Sequence, residues 1–242
     1  MPRSTEPHYT DSTWLTLGLV GTLAAFVVLS EYSIWATFLE LDLLQQARTA
    51  GVVLDSALAA NDRRQALVGG LQLLAFVASA GLFLRWLPRM NRNARALSAI
   101  GMEYGPIAAA AWFVVPVFQA WKPFDVLREL YQASSPEHID DWRRAPVPHL
   151  LTLWWTLWLL FQGTLGVALL ADLWARSVAQ LYTAAWGGAV VGVVAAPLGV
   201  AAAIGAWRLH ALQRRRFRCT APLRVRHPWP TRATDEVETA SS

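Results

Sequence analysis

The chain has 242 residues, 55% of them apolar and only 16% charged, with 13 tryptophans and a formal net charge of +4. A soluble domain of this length needs a far more charged exterior, so the composition excludes an ordinary water-facing globule and assigns most of the surface to lipid. The single cysteine, Cys219, excludes an intrachain disulfide, and a free thiol in a basic tail fits a reducing cytoplasm.

In chain order, residues 1–13 read as a cytoplasmic N-terminal tail and 14–35 as the first membrane span. About 20 predominantly apolar residues cross the hydrocarbon core. The segment is too long for a signal peptide and no small-residue cleavage site follows, so it reads as a retained anchor. Glu31 falls near its outer end, either exposed at the interface or acting as an intramembrane acid. Leu41 to Ala60 predicts an amphipathic segment on the outer leaflet, and Asn61-Asp62 the cap of a second span, 66–86.

Residues 106–121 are apolar but short of a full span, and Pro116 breaks them. Four spans put 17 of the 21 Lys and Arg residues on one side, whereas a fifth crossing lowers the number to 15. The positive-inside tendency therefore favours a re-entrant or interfacial segment over a fifth span. Pro123 suits the first turn of a surface helix over 123–133, with Phe124, Leu127 and Tyr131 on its apolar face and Asp125, Arg128 and Glu129 on the other. Broken backbone at membrane depth must be buried in protein or line a wet cavity. The candidate ligand or partner contacts are accordingly Arg89, Asn91, Arg92, Asn93 and Glu103 before the break, Pro116 within it, and Gln119, Trp121, Pro123, Arg128 and Glu129 after it.

Residues 150–171 and 184–207 complete the four spans, and tryptophans near the span ends, Trp14, Trp35, Trp86 and Trp207 among them, suit the headgroup layer. Gly188 and Gly192 form a small-xxx-small pair for helix packing, within the bundle or at a homo-oligomer seam. Pro197 predicts a kink. Residues 208–242 begin Arg-rich and end acidic, which predicts a disordered cytoplasmic tail whose basic part touches anionic lipid. No nucleic-acid-binding fold surrounds these arginines. The fold class is all-α: an integral membrane helical bundle of about four spanning helices plus a re-entrant or interfacial Pro-broken segment.

The run Phe83 to Asn93, then Tyr104-Gly105-Pro106, Trp112 to Pro116, Trp121-Lys122-Pro123-Phe124, Arg128-Glu129-Leu130 and Trp154-Trp155 with Trp158, resembles the domain-of-unknown-function 4328 family. The resemblance covers roughly residues 65–160 and implies a multi-span bacterial membrane protein with a conspicuous central motif, without supplying an activity. One departure is Gln119-Ala120-Trp121, where the family usually carries Asn before its tryptophan-proline element.

Catalytic signatures are missing. None of the five histidines lies in a span interior to ligate haem, and His138 beside Asp140 and Asp141 has no second His or Cys for a metal. No nucleophile triad or phosphate-cradling loop sits in a fitting context. The sequence thus points to a noncatalytic membrane-complex subunit or scaffold without cofactor or metal, with lipid, another membrane protein or a second copy as partner. The alternative is a small homo-oligomeric transporter or channel. An Arg-for-Lys bias of twenty to one suggests a bacterial origin and hence the cytoplasmic (inner) membrane.

Overall fold

A computed structural model describes residues 8–50, 55–97 and 99–226. Among them the chain forms α1 (Thr13–Ala50), α2 (Asp55–Ala96), α3 (Pro106–Ala111), α4 (Lys122–Ala133), α5 (His149–Trp174) and α6 (Val178–Arg226), with 3-10 turns at Phe118–Ala120 and Trp142–Arg144. Four of these, α1, α2, α5 and α6, are long and apolar enough to cross a membrane. Their sequences leave little choice: in lipid every backbone N–H and C=O must be satisfied inside the segment, which an apolar run achieves only as a helix. The four alternate in direction. α1 packs on both α2 and α6, α5 packs on α6, and α2 and α5 are not packed backbone to backbone.

The helices overshoot the bilayer. At 1.5 Å per residue α2 is about 63 Å long and α6 about 74 Å, against a hydrocarbon core of about 30 Å. The predicted outer-leaflet segment is therefore no separate element: its first part is the end of α1 and its last the start of α2, with 51–54 outside the described residues. Asn61 is likewise no cap. It lies buried inside α2, six residues past the helix start, and its Oδ1 accepts from Arg64 at 2.6 Å. α6 runs on through Pro197 and continues to Arg226, so the first half of the predicted disordered tail is helix; 227–242 lie outside the described residues.

α1 begins where Asp11 Oδ1 accepts from the Thr13 amide at 3.0 Å and the Thr13 hydroxyl at 2.6 Å. The short segment before it is strapped down, with Tyr9 stacked on Phe217 of α6 at 4.4 Å. Trp86, expected at the headgroup layer, is instead only 1% exposed, its indole N–H donating to Thr16 Oγ1 at 3.0 Å across α1 and α2. Trp14, Trp35, Trp174, Trp186 and Trp207 do face outward.

α3 has Pro106 at its start and only six residues, a reach of about 9 Å, so the apolar stretch 106–121 does not cross as a helix. After Trp112 it unwinds through turns, passes Val117 at φ 69°, a left-handed conformation costly for a β-branched residue, and re-forms as α4. α4 is not a solvent-skimming surface helix. Val126, Leu127, Leu130, Tyr131 and Ala133 are buried in the main core with Trp86, Met90 and Leu209.

Candidate functional site

Two features concentrate chemistry: a polar cap at one end of the bundle, and a cavity beneath it. The cap is built on the last turns of α2. Asn91 Nδ2 donates to Tyr104 O at 2.9 Å while its Oδ1 accepts from Arg95 Nε at 3.0 Å. The Arg95 guanidinium also donates to Met102 O at 3.1 Å and Tyr104 O at 2.9 Å, so the loop 99–105 is held by its own carbonyls. Its amides go elsewhere: Glu103 N and Tyr104 N both donate to the Glu129 carboxylate of α4, the second at 3.1 Å. Glu129, assigned from its spacing to the polar face of α4, is only 8% exposed. The hydrogen bonds to a carboxylate are the strong kind, and they tie α4 to the end of α2.

Gly101 lets this loop turn at φ 76°, with Arg143 Nη2 donating to its carbonyl at 2.7 Å. Nearby, Lys122 Nζ donates to the Tyr104 hydroxyl at 3.2 Å and lies 5.8 Å from the centre of the Trp112 ring. Hydrogen bonding to Tyr104 raises the Lys122 ammonium above its ordinary range.

α6 closes the cap from behind. Gln213 Nε2 donates to Met90 O at 2.8 Å and Ser134 Oγ at 3.0 Å. Arg216, fully buried, donates to Leu97 O at 3.1 Å, Ser135 O at 2.8 Å and Ile139 O at 3.4 Å. Charge-assisted bonds to three loop carbonyls offset part of the cost of burying the guanidinium.

The candidates thus separate. Asn91, Glu103 and Glu129 are brought together, the first and last by side chain and Glu103 by its amide, while the Glu103 side chain faces outward. Asn93 is buried but serves the N-terminal segment, accepting from Thr10 N at 3.0 Å and donating to Thr10 O at 2.9 Å. Pro123 is buried in the first turn of α4. Arg92, Pro116, Trp121 and Arg128 lie on the exterior, Arg128 pairing with Asp125 at 3.5 Å; Arg89 and Gln119 are half-buried. Glu31 is exposed on the outside of α1. Gly192 is a packing position, since a Cβ there would meet Ile34 Cγ1 of α1 at 2.6 Å, but Gly188 faces open space. Its place is taken by Gly199, whose Cβ would meet Val27 Cγ2 at 2.6 Å.

Below the cap, side chains of α1, α2, α4, α5 and α6 line a partly open apolar cavity of about 190 Å³. Phe26, Phe76, Phe83, Trp154, Trp158 and Phe161 form much of its wall, and Phe76 meets Phe161 across the gap between α2 and α5 at 6.5 Å. Five lining residues carry polar side-chain groups, Ser79, Trp86, Tyr131, Trp154 and Trp158, yet almost all of the wall is apolar. The Tyr131 hydroxyl donates to Gly205 O, whereas Ser79 Oγ and Trp158 Nε1 are buried with no hydrogen-bond partner among the described residues.

The sequence model of a family described as Domain of unknown function (DUF4328) matches residues 50–210, two thirds of the chain. The chain belongs to that family. No curated protein and no solved structure matches it. The DUF4328 region supplies Asn91, Arg95 and Glu129 of the cap and most of the aromatic wall of the cavity. It stops short of Gln213 and Arg216, so this chain completes the back of its DUF4328 cap with residues outside the matched region. Sequence reasoning overlooked those two and Arg95, counted there only as charge. Their spacing holds the available signal: Ala206, Leu209, Gln213, Arg216 and Thr220 are all buried and recur every three or four residues, one face of a helix.

Proposed function

We propose that the protein is a noncatalytic subunit or scaffold of the bacterial cytoplasmic membrane, acting through lipid and protein contacts made by its Pro-broken segment and its basic end. One observation carries this reading: Asn91, Arg95 and Glu129 of the central motif are occupied in fixing the loop 99–105 and α4 to α2, whereas the apolar residues of the break face outward. Ile107, Val114, Val117, Phe118 and Trp121 form that outward stretch. A motif whose buried acid, Glu129, and buried amide, Asn91, are engaged internally fits holding a shape better than turning over a substrate.

Charge supports the orientation. Arg85, Arg92, Arg128, Arg143, Arg144, Arg208, Arg214, Arg215 and Arg218 are exposed around the capped end, and the opposite end has Arg48, Arg63 and Arg176 beside Asp42, Asp55, Asp62 and Asp172. A basic collar next to spans fits the cytoplasmic face and contact with anionic lipid. A homo-oligomeric carrier needs a polar path, and the apolar lining of the cavity favours the scaffold over it.

The deciding experiment is native mass spectrometry of the intact complex extracted gently from its own membrane. A stoichiometric second protein is the expected result; a symmetric oligomer of this chain alone sinks the scaffold reading and directs attention to flux assays.

A further inference from the structure

One stripe of α6 changes character where the helix leaves the bilayer. Val200 and Ile204 are exposed apolar residues, and the same helical face continues past the outward-facing Trp207 as Arg208, Ala211 and Arg215, at steps of three or four residues. Opposite these arginines the chain between α4 and α5 supplies Pro136, Pro146 and Pro148, and the two sides line an open pocket of about 320 Å³.

The donors of this pocket are few. Proline has no N–H and a fixed φ, so that wall is stiff and donates nothing. The Tyr131 hydroxyl already donates to Gly205 O, and Ser135 Oγ is engaged with His138 Nδ1 at 3.3 Å. Arg208 and Arg215 are different: among the described residues neither has a hydrogen bond or an ion pair. Glu137 also lines the pocket, exposed and out of ion-pair reach of both. Two guanidiniums and one carboxylate leave one formal positive charge, which matches the single negative charge of a phosphodiester better than a monoester carrying about −1.5 to −2. Guanidinium is also the side chain whose donors fit phosphate oxygens two at a time. Size agrees: an apolar cavity of about 150 Å³ takes benzene, so about 320 Å³ has room for a phosphate with a small substituent.

We propose that this pocket holds the phosphodiester headgroup of a membrane phospholipid, its phosphate oxygens accepting from Arg208 and Arg215 and its acyl chains lying along Val200 and Ile204 of α6. The site rests on the reading of the arginine collar as the basic end at the membrane surface, and narrows it from a diffuse attraction to one position. A soluble phosphodiester shares the headgroup chemistry but has nothing to lay against the apolar part of the stripe.

The test uses the full-length protein in detergent, titrated by native mass spectrometry with dioleoylphosphatidylglycerol, with glycerophosphoglycerol as the same headgroup without acyl chains, and with dioleoylglycerol as the phosphate-free control. The phospholipid is expected to bind one to one and about tenfold or more tighter than either control. Arg208→Gln with Arg215→Gln is expected to weaken it about tenfold or more, the loss of charge-assisted hydrogen bonds from two donors. Arg85→Gln with Arg92→Gln removes the same charge from α2 and is expected to change it less than about twofold. All four arginines are exposed, so the fold is not at stake. Equal loss in the two double variants, equal binding of glycerophosphoglycerol, or the lack of a one-to-one phospholipid complex overturns the proposal. An inverted orientation in the membrane or the lack of a second subunit leaves this titration unchanged, so the lipid site and the scaffold reading fail separately.

Discussion

Replacing Glu129 by alanine removes the acceptor of two loop amides, Glu103 N and Tyr104 N, at a position where little water can take its place. Bonds to a charged acceptor contribute about 1.5–3 kcal/mol each, so the expected loss for the two is about 3–6 kcal/mol, read as a lowered thermal midpoint in detergent. Glu129→Gln keeps one acceptor oxygen and is expected to fall between. A midpoint unchanged by Glu129→Ala would show that α4 is held by its apolar face alone. Lys122 gives a second test at this scale because it is the only lysine in the chain. Labelled at Cε, it yields one resonance, expected to titrate above the ordinary lysine value of about 10.4 and to move back toward it in Tyr104→Phe. The sign follows from a raised folded-state value: the Lys122 contribution to stability is present below the unfolded pKa and is lost as the pH rises through the folded one.

Among elements, the seam between α1 and α6 rests on two glycines, Gly192 and Gly199, on one face of α6. A side chain at Gly192 or Gly199 runs into Ile34 or Val27, both β-branched and stiff. Gly192→Leu and Gly199→Leu are each expected to cost about 1–3 kcal/mol by overpacking, whereas Gly188→Leu, facing open space, is neutral or stabilising through helix propensity. Thermal unfolding of the three variants side by side checks this; equal effects at all three positions would refute the seam. The four apolar segments were legible in the sequence because lipid allows an apolar run no other backbone solution. The helical spacing of Phe124, Leu127 and Tyr131 likewise marked α4. Its depth was not legible: Glu129 is buried only because a loop 25 residues earlier presents two free amides to it. The same holds for Arg216. Helical register with Leu209 and Gln213 singles out Arg216 from Arg214 and Arg215, but its partners, carbonyls at Leu97, Ser135 and Ile139, lie far away in the chain and were not legible. Composition made that stretch look solvated, and tertiary partners made it structural.

For the molecule as a whole, the proposed orientation predicts which surface a reagent reaches. In a Cys219→Ser background, cysteines at the exposed positions Glu137 and Arg214 are expected to react with an impermeant maleimide only after the membrane is opened. A cysteine at Arg48, on the opposite end, is expected to react in intact cells. The reverse pattern would invert the protein in the membrane and remove the basis for anionic-lipid contact by the arginine collar.

The uninterrupted length of α6 also has a mechanical meaning. From the glycine seam at Gly199 to Thr220 the helix extends about 31 Å, so each degree of rocking about that seam displaces the far tip by roughly half an ångström. Arg216 grips the chain at the end of α2 and the loop after α4, and Gln213 grips α2, so the cap is fastened to this part of α6. A tilt of a few degrees at the seam would accordingly carry the exposed arginines near the far tip about an ångström or more along the membrane surface.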